Sequence, residues 1–209
     1  MSTKLKTEVY SKIKPTWPSD GKCILAQYTK DSIIVYQAFN EKIAKYAEKN
    51  KKFIGCDAFS ANRCTWIKTN FLWMQYRSGW NTKPNQERTL AIELKLDFFE
   101  EILKNSVHSH YNDKIFDNED DHKKALKKAD VVMQWDPDHS PKGGKMIRRA
   151  IQLGLKGDIL KEYISGNSIL SIEDITDFVE KQRDFVDKED ELLVMLEEIY
   201  EPKNSFVLK

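Results

Sequence analysis

The sequence predicts a single α+β domain with a mixed or mainly antiparallel sheet and flanking helices. Short runs rich in β-branched and aromatic residues (IIVYQAF, RTLAIEL, VVMQW) recur along the chain, and amphipathic helical segments stand between them. No Pro/Gly/Ser linker and no abrupt change of composition divides the 209 residues, a length that buries one full core. The domain proper is expected over residues 22–209, preceded by an arm over residues 1–21.

The arm carries lysines, Pro15 and Pro18 among scattered apolar groups, which disfavours a helix, and Trp17 is placed to pin it to the body. CILAQY and IIVYQAF, separated by a turn at Thr29–Ser32, predict a hairpin. Asn40 is a natural cap for a helix ending near Asn50, with Ile43, Ala44 and Ala47 on its apolar side. Thr69 or Asn70 caps a short helix over FLWMQYRS, and Gly79 closes it in the left-handed conformation. NTKPNQ reads as a loop, RTLAIEL as a strand, and Asp97 as the cap of FFEEILKNSV. The acidic front and basic rear of NDKIFDNEDDHKKALKKAD suit an exposed helix. VVMQW is a strand, DPDHSPKGG a loop, MIRRAIQLGL a strand and Asp158–Ile164 a helix. A last helix is expected over Lys188–Tyr200.

A formal charge of +1 gives the chain no global attraction to nucleic acid or an acidic membrane, so any basic site must be local. No apolar run approaches the roughly 20 residues of a spanning helix. The start, MSTKLKTEVYSK, lacks the apolar stretch of a secretory signal, so a cytoplasmic or nucleocytoplasmic location and no membrane partner are expected. Cys23, Cys56 and Cys64 are unpaired in number and fit a reducing compartment. His108 and His110 form an H-x-H pair without further ligands at metal spacing, and no metal is expected.

The local excess of charge lies in RCTWIKTNFLWMQYRSGWNTKPNQER, where five cations meet one acid and three of the five tryptophans are concentrated. Cations meet phosphate and ring faces meet bases, so Lys68, Arg77 and Lys83 with Trp66 and Trp80 are candidate ligand-binding residues. Thr65 and Thr82 join them because they flank the helix start and the loop. The loop is expected to fold so that Lys68, Arg77 and Lys83 share one positive pocket. In the alternative, the same aromatic residues fill a core and the cations are solvated.

Tyr36 and Gln37 are neighbours on a strand and face opposite ways, so at most one faces a given cleft. Gln37, like Gln134 and Gln152, is polar within an apolar strand, and either satisfies buried groups or reads a ligand. Glu87 stands where a catalytic carboxylate often precedes a strand, although Arg88 and Lys83 offer it ion pairs. Asp136 and Asp138 suit either a cation or turn chemistry. Phosphate-loop, dinucleotide-turn, nucleophile-elbow and H-E-x-x-H motifs are all missing, which disfavours those enzyme classes.

Taken together, ILAQYTKDSIIVYQAF, TWIKTNFLWMQYRSGWNTKPNQERTLAIEL, VMQWDP and RRAIQLGL make the chain resemble an uncharacterised family, domain of unknown function 4291, from about Ile24 to Ile175. That resemblance implies no activity, and Leu25 stands where the family's IRA-x-Y-D strand has arginine. At the level of fold, the opening half is similar to ADP-ribosyltransferase-type domains, which bind NAD in a cleft between two small sheets. Their pattern runs from Arg or His on the first strand, through Ser or Thr with an aromatic, to a glutamate that orients the nicotinamide ribose. The likeness puts Gln37 at the first position, Thr65 with Trp66 at the second, and Gln152 nearest the third in place of the glutamate. It implies NAD as cofactor and an enzyme directed at a nucleotide or nucleic acid, with Gln37 and Gln152 as catalytic candidates, while the residues themselves add Glu87 as a catalytic candidate and Tyr36 as a binding one. A non-catalytic nucleotide- or RNA-binding module and a protein-interaction domain are the alternatives.

Overall fold

A computed structural model describes residues 5–208. The chain begins with β1 (Thr7–Val9), α1 (Tyr10–Ile13), β2 (Ile24–Ala26), β3 (Ser32–Phe39), α2 (Glu41–Asn50), β4 (Thr65–Lys68) and α3 (Phe71–Ser78). It continues through β5 (Arg88–Lys95), α4 (Leu96–Lys104), β6 (Ser106–His108), α5 (Glu119–Lys128), β7 (Val131–His139) and β8 (Lys145–Leu155). It ends with α6 (Gly157–Ser165), β9 (Ile169–Asp174), α7 (Thr176–Arg183), β10 (Leu193–Met195) and β11 (Glu198–Tyr200).

Seven strands make one sheet in the order β6-β7-β8-β4-β3-β5-β9. All neighbours are antiparallel except β6 and β7. Two small antiparallel ribbons, β1 with β10 and β2 with β11, complete an α+β single domain. Alternate residues of β3 enter different cores. Ile33 and Val35 join Ile67, Ile92 and Leu153 beneath α2, α4 and α6. Ile34 and Tyr36 join Phe71, Leu72 and Val179 beneath α3 and α7. Burial on both faces is why this strand reads as an unbroken apolar run.

The sheet is weakest at its centre. Eight register pairs join β3 to β5 and four join β4 to β8, whereas β3 and β4 share one, Tyr36 with Lys68. Past that pair the strands part into a three-stranded and a four-stranded half. The cleft described below opens at this division.

Several expected elements take another form. Residues 1–4 of the arm lie outside the described residues; the rest of it pairs through β1 with β10 and makes a helical turn that buries Tyr10 and Ile13. Trp17 is buried, and its indole N–H donates to the Glu197 carbonyl at 2.9 Å. The expected hairpin keeps its turn, but β2 swings away to pair with β11, leaving one bridge, Tyr28 with Ile33. The expected terminal helix over Lys188–Tyr200 is instead β10 and β11. Its apolar residues suit either period, and β1 and β2 supply edges that need partners. β7 runs on through Asp136 and Asp138 to His139, with the register shifting at Pro137, which has no N–H for the ladder. Asp97 lies in the first turn of α4 without capping it. Among the described residues no helix is long and apolar enough to cross a membrane.

Candidate functional site

A cleft of about 500 Å³ is lined by residues of β3, β4, β7 and β8 and by α3. Residues opposite one another in register share a face, so Lys68 of β4, Gln152 of β8 and Gln134 of β7 form one cross-strand row, with Asp136 two residues beyond Gln134. The row is tied together. The Gln134 Nε2 amide donates to Asp136 Oδ1 at 2.9 Å and the Gln152 Nε2 amide to Asp136 Oδ2 at 2.6 Å.

The facing wall is α3, and its placement follows from both ends. Asn70 Oδ1 accepts from Trp73 N at 2.7 Å, and Glu197 Oε1 from the C-terminal segment accepts from Phe71 N at 2.6 Å. Gly79, at φ 61°, ends the helix in the left-handed conformation. Trp73 and Arg77, four apart, therefore both line the cleft. Tyr76, stacked with its centroid 3.5 Å from that of His139, fixes the helix against β7.

Trp66 lines the third side. It lies across from Gly154, where a Cβ would come within 3.0 Å of the Trp66 ring and 2.7 Å of Cys64 Sγ. The indole occupies that space because residue 154 is glycine.

Lys68 is the unusual residue. It is 6% exposed, lines the cleft, and makes no hydrogen bond or salt bridge among the described residues. Burial, reinforced by the Arg77 guanidinium and partly opposed by the Asp136 carboxylate, lowers its ammonium pKa to about 7. Buried charges are normally paired, so a desolvated lysine without a partner at the floor of a cleft marks a candidate site.

The family model described as "Domain of unknown function (DUF4291)" matches residues 23–200. The chain belongs to the DUF4291 family. That span takes in the whole cleft, from Gln37 on β3 to Gln152 on β8. A comparison with curated proteins finds no match.

Within this DUF4291 chain the cleft gathers Gln37, Thr65, Trp66, Lys68, Arg77, Gln134, Asp136 and Gln152 of the residues singled out by sequence. Gln37 is held on all sides. Its Nε2 donates to Thr65 Oγ1 at 2.9 Å and to the Trp66 carbonyl at 3.0 Å, and its Oε1 accepts from the Tyr163 hydroxyl at 2.7 Å. It bridges the two halves of the sheet where the backbone ladder is missing.

The remaining candidates lie elsewhere. Tyr36 is fully buried, edge-on to Phe71 at 5.8 Å. Trp80 is buried with its indole N–H on the Pro141 carbonyl at 3.1 Å. Thr82 Oγ1 donates to the Gly79 carbonyl at 2.7 Å. Lys83 folds back on the end of α3, donating to the Arg77 carbonyl at 2.7 Å, so only two of the three expected cations share the pocket. Glu87 is exposed and accepts from Asn85 N at 2.8 Å; its expected partner Arg88 turns instead to Glu41 and Asp174, and Gln86 is the residue of that turn that lines the cleft.

Asp136 and Asp138, adjacent alternate residues of a strand, take separate roles. Asp136 enters the cleft, while Asp138 forms a buried pair with Arg148 at 2.6 Å. Trp73 and Gln86 line the cleft without having been singled out by sequence, and Asp136, read there as a cation ligand or a turn residue, lines it bound to two glutamine amides. The signal for Asp136 was its spacing from Gln134, which puts two polar side chains on one face of an apolar strand.

Proposed function

We propose that this cleft binds a phosphorylated, base-containing ligand and acts on it, as an NAD-dependent, ADP-ribosyltransferase-like enzyme. The observation that carries the proposal is Lys68, a buried cation without a partner among the described residues, in the same cleft as Arg77 and the Trp66 ring. A phosphate set between the two cations would replace the solvation Lys68 has lost, and the indole offers a flat face for a base or nicotinamide. The volume of about 500 Å³ falls in the range of small-molecule sites.

Support for glycosidic chemistry comes from two features. The cleft opens where the one sheet loosens between β3 and β4, the counterpart in this proposal of the cleft between two small sheets in transferase-type domains. Asp136 places a carboxylate on the cleft wall, and breaking the bond between nicotinamide and ribose develops positive charge on the sugar that a carboxylate stabilises. Gln152, nearest the position of the transferase glutamate, serves by orienting Asp136.

One observation favours binding without turnover: both ends of the Gln37 amide are already satisfied within the protein, which leaves the first transferase position no free group. The two readings separate experimentally. NAD or ADP-ribose is expected to raise the melting temperature, since a ligand of the folded state adds RT ln(1 + [L]/Kd), and Arg77→Ala to remove that rise. Radiolabelled NAD incubated with mixed protein and nucleic acid acceptors then tests turnover. Label in an acceptor supports the enzyme; stabilisation without label leaves the module, and no stabilisation by NAD, ADP-ribose, ATP or short RNA overturns the nucleotide proposal.

A further inference from the structure

The position of Lys68 suits covalent chemistry as well as charge. Its chain rises from β4 into the cleft, flanked by Tyr36 on β3 and Gln152 on β8, with Arg77 on α3 and Asp136 on β7 as the charged groups about it. None of these takes a hydrogen bond from the amine among the described residues, and both oxygens of Asp136 are already engaged by glutamine amides. An amine held in this way keeps its lone pair available, and with a pKa near neutrality a large fraction is uncharged at pH 7. Surface lysines, at about 10.4, are almost wholly protonated there.

We infer that Lys68 is a nucleophile that forms an imine with the carbonyl carbon of a phosphorylated sugar, Arg77 holding the phosphate. Under the proposed function the sugar is the open-chain aldehyde of ADP-ribose, so the identity of the ligand rests on that proposal while the amine chemistry does not. The Nζ lone pair attacks the aldehyde carbon, and the carbonyl electron pair moves to oxygen, which takes up a proton to give a carbinolamine. Loss of that hydroxyl as water, with the nitrogen giving up its protons, leaves the C=N bond. Nothing is oxidised or reduced.

The test uses the full chain with two aldehydes, pyridoxal 5′-phosphate and ADP-ribose, each followed by borohydride, which reduces an imine to a stable secondary amine. Peptide mass spectrometry is expected to find the dominant adduct on Lys68, with a mass gain in the second case of ADP-ribose less one oxygen. Lys68→Arg should abolish it. Arg77→Gln should lower labelling by about tenfold, the loss of one charge-assisted phosphate contact, and excess ADP-ribose should protect Lys68 from pyridoxal phosphate. Melting curves of the variants establish that they fold, and Lys68→Met serves if Lys68→Arg does not.

Labelling spread over surface lysines, or absent from Lys68, overturns the inference. ADP-ribose that stabilises the protein yet leaves no adduct overturns it while sparing the nucleotide proposal. A Lys68 adduct with pyridoxal phosphate in a protein that no nucleotide stabilises does the reverse.

Discussion

Arg148 and Lys68 are both buried cations on adjacent strands, at 3% and 6% exposure, and the chain treats them in opposite ways. Arg148 Nε donates to Asp138 at 2.6 Å, its Nη1 reaches the Pro18 carbonyl at 3.3 Å, and its guanidinium lies 5.2 Å from the Trp17 ring centre. That group clamps the N-terminal segment to the β7–β8 hairpin. Lys68 has none of this, although Asp136 stands on the same strand as Asp138 and two residues away. One carboxylate completes a structural pair; the other is held off by two glutamines. The contrast separates a buried charge that holds a fold from one that the fold tolerates.

The largest effect should come from breaking the paired side. Asp138→Ala leaves Arg148 buried without its counter-ion and should cost about 3–5 kcal/mol of unfolding free energy, read from urea denaturation. A loss below about 1 kcal/mol would mean that the clamp is not what holds the N-terminal segment.

The unpaired side should respond with the opposite sign. At and below pH 7 the folded state bears the cost of holding a proton on Lys68 that the unfolded chain holds freely, so Lys68→Met should stabilise by a few kcal/mol. The pH dependence gives a sharper signature. From about 7 up to the ordinary lysine value the unfolded chain binds more protons than the folded one, so this group's contribution to stability rises with pH, at about 1.4 kcal/mol per unit. The gap between wild type and Lys68→Met should therefore close across that window. A gap that stays constant with pH would show that Lys68 is not desolvated.

Sequence carried much of this fold and less of its site. The strands around Tyr36, Leu90 and Ile151 and the helix capped by Asn70 were legible, because each rests on local pattern or a local cap. β10 and β11 were not, because ELLVMLEEIY satisfies both helical and strand periods and only the edges of β1 and β2 decide. At the site, Lys68 and Arg77 were visible as local charge. The withdrawal of Lys83 depends on how α3 ends, which its own charge does not encode, whereas the entry of Asp136 follows from its spacing from Gln134 once β7 runs on past Trp135.

Gln37 links the two sides of the comparison, since it is fully paired yet lines the cleft. Gln37→Leu strands the Tyr163 hydroxyl and the Trp66 carbonyl and should cost about 1–3 kcal/mol. Because its amide spans the break between β3 and β4, the variant should also weaken ligand binding with Lys68 and Arg77 both intact. A stability loss with binding unchanged would make Gln37 purely structural.

The smallest effects come from two cations six residues apart, and they separate charge from placement. Arg77 is exposed, so Arg77→Ala should change stability by less than about 0.5 kcal/mol. It should nevertheless abolish ligand stabilisation and raise the Lys68 pKa, because the Arg77 charge helps to depress it. Lys83→Ala removes the same charge from a side chain whose ammonium caps the carbonyls at the end of α3, and should cost about 0.3–1 kcal/mol. Ligand stabilisation and the Lys68 titration, followed by the pH dependence of borohydride labelling, should not move. If Lys83→Ala weakened binding as much as Arg77→Ala, the cleft would be responding to the summed charge of the window. If only Arg77→Ala does so, the pocket depends on where α3 aims each cation, the same distinction that sets Lys68 apart from Arg148.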